Sequence, residues 1–228
     1  MSIDFKPYFE MYEALVAKVD NAFERVRQAH LEEVRCHLGC SDCCHAIFDL
    51  SLMEAMYINA RFFESVPEGR RVDLLDKANR IDRHLARIKR EAAKSVADGE
   101  DESTVLEQLA EIRVPCPLLS DEGRCELYAF RPITCRLYGI PTAIDGRGHT
   151  CGLSGFEQGK SYPTVYLDLI HAQLQEISAI FLRDVGSRNI RLADLLVPLS
   201  MSLLTTYDEA YLGLDDDNAS DDAKGGAS

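Results

Sequence analysis

Apolar residues recur every three to four positions over residues 5–35, at Phe9, Tyr12, Leu15, Val16, Val19, Phe23, Val26, His30, Leu31 and Val34. This spacing predicts one long amphipathic helix running directly into Cys36. The span has no Gly, and its one Pro, Pro7, lies in the first turn, where the missing N–H is harmless. Ser51-Leu52-Met53-Glu54 has the form of a capping box. It predicts a helix over 51–64 with Met53, Met56, Tyr57, Ala60 and Phe63 facing inward. Pro67 marks a new helix start. Val72, Leu75, Ala78, Ile81, Leu85, Ile88 and Ala92 then predict a helix with a charged outer face, paired with its neighbour as a helical hairpin. Residues 95–103 read as an exposed loop, and 104–112 as a short helix. The helical period returns over 164–184. Residues 191–207 predict a last, very apolar helix, kinked at Pro198.

The pattern breaks between 114 and 155. Pro115, Pro117, Pro132 and Pro141 fall here, with Gly at 123, 139, 146, 148, 152 and 155. Regular helix cannot run through such a stretch, and a lobe so poor in long elements needs an internal staple. Thr142-Ala143-Ile144 and His149-Thr150-Cys151 flank Asp145-Gly146-Arg147-Gly148, which predicts a β-hairpin. The expected fold is mainly α, a helical scaffold around an irregular cysteine-rich lobe with one hairpin. A single domain over 1–213 is expected, its core made from 36–44 and 114–155 and joined by a helical insertion. Residues 214–228, with five Asp and one Lys, read as a disordered acidic tail.

Composition narrows the function classes. Of 228 residues, 46% are hydrophobic, enough for a core. The net charge is -13, from 38 acidic and 25 basic residues, which argues against nucleic-acid or anionic-membrane partners. No signal-like N-terminus and no run of about 18 apolar residues is visible. A cytoplasmic setting is expected, where eight cysteines are poorly explained as disulfides.

Those cysteines fall in two blocks. Cys36, Cys40, Cys43 and Cys44 lie within nine residues. Cys116, Cys125, Cys135 and Cys151 follow, separated by eight, nine and fifteen residues. Spacings of two or three residues let neighbouring thiolates converge on one centre, and Gly39 would relieve crowding at the bend. Arg35, Arg124 and Arg136 each adjoin a cysteine and Arg131 is close, a local cationic bias that stabilises thiolates. All eight cysteines are candidate metal ligands, with Cys36, Cys40, Cys43 and Cys135 first. Their division between one centre and two stays open. His37, His45 and His149 are secondary candidates, and Tyr128 and Tyr138 are expected to pack against the lobe.

Zinc accepts four thiolates. A tight cysteine triple with a remote fourth ligand favours an iron–sulfur cluster, leaving zinc or mononuclear iron as the alternative. The C-x3-C-x2-C spacing of Cys36, Cys40 and Cys43 is similar to that of radical S-adenosylmethionine enzymes. Repeated β/α units are lacking, however, and Asp42 takes a position that is usually aromatic there.

The order Cys36…Gly39-Cys40-x2-Cys43-Cys44, Cys116-Pro117-Leu118, Gly123-x-Cys125-x2-Tyr128, Arg131-Pro132-x2-Cys135-Arg136-x-Tyr138 resembles the YkgJ-like cysteine-cluster proteins, described as candidate zinc- or iron-chelating domains. The same pattern is similar to that of the flagellin lysine N-methylase group, which implies methyl transfer to a protein substrate as one use. A redox- or metal-sensing module and a structural zinc site are the others. The resemblance implies metal binding and leaves enzymatic activity open.

Overall fold

A computed structural model describes residues 3–37 and 39–214. The fold is mainly α, as the periodicity requires. Helix α1 spans Lys6–Ala29. A short 3-10 turn, Asp42–His45, precedes strand β1, Asp49–Ser51. Then come α2 (Leu52–Ser65), α3 (Glu68–Ala97), α4 (Glu102–Glu111) and the five-residue α5 (Ile133–Leu137). Strands β2 (Thr142–Ile144), β3 (Arg147–His149) and β4 (Val165–Tyr166) form a small sheet in the order β3-β2-β4. Helix α6 (Leu167–Asp184), strand β5 (Leu196–Pro198), α7 (Leu199–Leu204) and α8 (Glu209–Leu212) complete the chain. Strands β1 and β5 pair antiparallel, with Leu50 opposite Val197. The acidic tail expected over 214–228 lies outside the described residues, apart from Leu214.

The core is built on α2. Leu52, Met53, Ala55, Ile58 and Phe62 are fully buried against α1, α6 and α7. Each large apolar side chain so buried contributes about 1.5–3 kcal/mol. The Ser51 hydroxyl caps α2 by accepting from the Glu54 N–H at 3.3 Å. Glu54 does not complete the box. Its carboxylate turns into the core, where Oε1 accepts from the Tyr12 hydroxyl and from the Ile133 N–H, both at 2.8 Å. One buried carboxylate thus joins α1, α2 and the start of α5.

Several expected boundaries shift, each for a tertiary reason. Helix α1 stops at Ala29, because the chain turns to meet the segment after Cys151. The Gly155 N–H donates to the Glu33 carbonyl at 2.7 Å, and the His30 ring packs edge-on against Phe156 and Tyr162. Helix α3 pairs with α7 and α4, and not with α2 as a hairpin. Its buried positions are Leu74, Ala78 and Ile88, while Val72 is exposed. The apolar run at 191–207 is not one kinked helix. Residues Leu196–Pro198 extend as β5, and Pro198 is the N-cap of α7. Proline disfavours helix at the residue before it and is well placed at a helix start. The hairpin forms with a two-residue turn at Asp145-Gly146, both with positive φ, so β3 begins at Arg147 and not at His149.

Candidate metal centre

Four separate stretches of chain meet around one cavity of about 430 Å³. Seven of the eight cysteines line it, all but Cys116, which borders an adjoining cleft with Val114 and Pro115. All eight are free thiols.

The first stretch follows the end of α1. The Gly155–Glu33 hydrogen bond sets the path of the chain into Cys36. Gly39 has φ +93°, while a Cβ there would meet nothing within 4 Å, so its backbone conformation and not crowding is what calls for glycine. The 3-10 turn then carries Cys43 and Cys44 side by side, held by Cys44 N–H to the Ser41 carbonyl and Ala46 N–H to the Cys43 carbonyl. The His45 ring donates through Nδ1 to the Ser41 carbonyl at 3.0 Å.

The second stretch is clamped to the first by two backbone bonds. Cys116 N–H donates to the Cys44 carbonyl at 2.7 Å, and Val114 N–H to the His45 carbonyl at 3.0 Å. A tight turn follows, with Ser120 N–H on the Arg124 carbonyl and Glu126 N–H on the Leu118 carbonyl, which returns Cys125 beside Leu119. The third stretch is α5. Glu54 holds its first N–H and thereby fixes Cys135. The fourth is the turn at Cys151, whose carbonyl accepts from the Ser154 N–H and hydroxyl at 2.9 and 2.6 Å.

The thiols act on one another across the cavity. Cys43 accepts from the thiols of Cys135 and Cys44, which holds the Cys43 thiol well below its ordinary value; nearby Arg131 adds to the effect. Cys135 and Cys44 are correspondingly pushed up, first by donating to Cys43 and then by burial. Burial pushes Cys116 up to about 12, and raises Cys125 as well. Cys36, Cys40 and Cys151 also share a small cleft with Gly139 and Ser154. Burial pushes Cys36 up to about 11, with the charges of Cys40 and Cys151 adding to it. The Cys151 thiol donates to Asp42 Oδ2 at 3.3 Å. Three of the four cysteines of the second block share a device: the N–H two residues on lies on the sulfur, Leu118 on Cys116, Leu127 on Cys125 and Leu153 on Cys151.

The arginines divide by role. Arg131 stacks over the Tyr128 ring at 4.3 Å, and its charge stabilises the thiolates of Cys36, Cys43 and Cys125. Arg136 is structural: its buried guanidinium pairs with Asp20 at 2.7 Å and donates to the carbonyls of Ala129 and Arg131. Arg113, unremarked in the sequence, grips the Asp42 carboxylate and donates to the Asp42 carbonyl at 2.6 Å. Tyr128 and Tyr138 both line the cavity, and the Tyr138 hydroxyl accepts from Arg113. His37 also lines it, whereas His149 sits exposed on β3 outside it. Spacing could not single out Asp42 or Gly139. A Cβ on Gly139 would lie 2.1 Å from Cys36 Sγ. Gly139→Ala should therefore rotate Cys36 away and weaken metal loading at that thiol about tenfold, with the melting temperature nearly unchanged. Metal titration beside thermal unfolding checks this; native loading in the variant would remove Cys36 from the site.

These elements define a helical protein built round a thiol-rich chelating lobe. The cysteine order makes the assignment more particular: residues 35–152, just over half of the chain, match the family CxxCxxCC, a domain proposed to chelate zinc or iron, and the chain belongs to that family. Comparison with curated proteins and with solved structures returns no match. The family supports metal binding, and the donor set fits it: soft thiols, backbone N–H groups on sulfur and a guanidinium to balance charge. Among the described residues, no three His, Cys, Asp or Glu side chains are drawn together as a finished metal cage. Among the same residues, no helix is long and apolar enough to cross a membrane.

Proposed function

We propose that the lobe holds an iron–sulfur cluster through both cysteine blocks, with zinc or mononuclear iron as the alternative occupant. The observation that carries this reading is the cavity. Seven thiols, brought in from both blocks, line one space of about 430 Å³. A single zinc ion takes four thiolates at about 2.3 Å, fewer than the seven that line this space. A cluster is a larger body whose ligands are spread around it, and tight cysteine pairs with remote partners are its usual source. The N–H groups on Cys116, Cys125 and Cys151, and the charge of Arg131, would set its potential. Bound there, the cluster supplies one-electron chemistry in a cavity bordered by the half-exposed Tyr128.

Anaerobically purified or reconstituted full-length chain should be coloured and contain iron and acid-labile sulfide in equal amounts. Colourless protein with stoichiometric zinc and no sulfide would overturn the cluster and leave the zinc alternative. A chain that retains neither metal would overturn metal binding as a whole.

A further inference from the structure

The outer face of α3 carries a row of cations with no carboxylate set against them. Arg80, Arg83, Arg87, Arg90 and Lys94 follow one another at alternating three- and four-residue spacing, and all five are exposed. At about 3.6 residues per turn they fall within an arc of about 80° and run about 21 Å along the helix axis. The buried positions Leu74, Ala78 and Ile88 lie on the other side of the helix.

A solvated helix face ordinarily mixes its signs and pairs them three or four residues apart. Elsewhere this chain does so, with Arg27 on Glu24, Arg61 on Glu64 and Lys160 on Glu157. Lys89, on α3 but outside the row, pairs with Asp49 at 2.6 Å. Within the row, Arg83 donates to the Asn79 side-chain oxygen at 2.6 Å and Arg87 meets the His84 ring at 2.9 Å. Asp76 and Asp121 share a surface cleft with Arg80, and Glu91 lies between Arg87 and Lys94 in sequence. Among the described residues, none of these carboxylates reaches ion-pair distance of the five. Like charges at this spacing repel, so the row costs the isolated helix stability. In a chain with 38 acidic and 25 basic residues, such segregation is not a matter of composition.

The kind of anion follows from what surrounds the row. A membrane surface needs large apolar side chains beside the cations, and the exposed Val72 and Val96 of α3 both fall outside it. A nucleic acid is repelled by the rest of the chain, whose net charge is -13 even with the five included, and the row offers no aromatic ring for stacking. A helix fits. Carboxylates repeated at the same spacing on a facing helix meet the cations one by one, as charged positions do across coiled coils. The short side chains of Asn79, Ala86 and Ala93, all exposed, border the row at seven-residue intervals and leave room for a second backbone.

We propose that the outer face of α3 is a docking surface for an acidic helix of a partner protein, held by Arg80, Arg83, Arg87, Arg90 and Lys94. The Arg80 end lies beside Leu119 and Asp121, in the turn between Cys116 and Cys125. A partner laid along α3 therefore has one end at the chelating lobe. The docking itself needs none of the cysteines and does not depend on what the lobe binds.

Calorimetry on the full-length chain tests this with a synthetic alanine-rich helical peptide whose glutamates repeat at alternating three- and four-residue spacing. A second peptide of the same composition spreads its glutamates around the helix. The patterned peptide should bind at low salt and lose about tenfold in affinity as salt shortens the screening length. The spread peptide should bind at least about fivefold more weakly, since specificity comes from matched charges. Reversing two cations together, Arg83→Glu with Arg87→Glu, should cost more than about tenfold, and Arg83→Gln with Arg87→Gln a smaller factor in the same direction. Arg25→Glu, exposed on α1, should bind as native. Circular dichroism checks the fold of each variant, and the glutamine pair gives the answer if the glutamate pair does not fold. The proposal is overturned if the patterned peptide does not bind, if both peptides bind alike, or if the folded Arg83 and Arg87 variants bind as native. Tighter binding to a DNA duplex or to phosphatidylserine vesicles than to the peptide, lost in the same variants, would overturn it in favour of that partner.

Discussion

Cys43→Ser should strip the cysteine lobe of its metal. Cys43 is the thiol toward which Cys135 and Cys44 are turned: both donate to it, and Arg131 lies in range. Those contacts favour its thiolate, the form that ligates a metal. Serine preserves the shape, but its hydroxyl does not ionise and is a harder donor that suits zinc and iron–sulfur centres poorly. Losing an outer-sphere partner already costs about 10–100-fold in metal affinity, so losing this ligand should exceed that range. Chelator competition on anaerobic protein gives the number. His149→Ala, on the exposed end of the hairpin, is the control expected to bind as native. A Cys43→Ser affinity within twofold of native would make Cys43 a spectator.

The second large effect belongs to stability. Glu54→Ala should lower unfolding free energy by about 3–5 kcal/mol, because it orphans the buried Tyr12 hydroxyl and the Ile133 N–H and leaves a void among α1, α2 and α5. For a chain of this size that is a fall of about 10 °C in melting temperature. Metal loading should weaken with it, since Ile133 begins the helix that bears Cys135. Glu54→Gln keeps the accepting oxygen and should be much milder. It also separates charge from hydrogen bonding. Burial raises the Glu54 carboxyl above its ordinary 4.5, against the opposing pull of Ile133, Tyr12 and Arg136. The folded state therefore holds that proton more tightly than the unfolded chain. The stability this contributes is complete below pH about 4.5 and is lost as pH rises through the folded value. Native protein should lose ground to Glu54→Gln in thermal unfolding as pH rises above about 4.5. Parallel pH curves for the two would show that Glu54 stays ionised when buried.

Much of the helical frame was legible because its signals are local. Ser51 caps α2 as its sequence suggests, Pro67 precedes α3, and the apolar period expected over 164–184 is α6 from Leu167 on, after Val165–Tyr166 extend as β4. What escaped was decided by distant partners. Nothing within 5–35 says that Gly155 will take the Glu33 carbonyl and end the helix early. The run at 191–207 is apolar enough for a helix, but Pro198 and pairing with β1 divide it. At the site, the two cysteine blocks were legible as one chelating unit from residue type and order. The supports were not. Glu54 looked like half of a capping box, Arg136 like a cation for thiolates, and Asp42 only like a departure from a usually aromatic position, because each takes its role from a partner at least 71 positions away. Gly139 is silent in sequence, since its reason is the sulfur of Cys36.

The backbone clamp between Cys44 and Cys116 has a consequence for how this chain can vary. It closes an excursion of about 70 residues on two hydrogen bonds. For such a loop the closure entropy grows only as the logarithm of length, so doubling it costs about 0.6 kcal/mol. Helix α2 is not free to change, since it forms the core. The distal part of the excursion, from the last turns of α3 through α4, buries little beyond Ile88 and Val105. That arm can be lengthened, trimmed or replaced while the clamp still delivers Cys116 to Cys44. The chelating lobe is thereby insulated from the size of the segment that interrupts it.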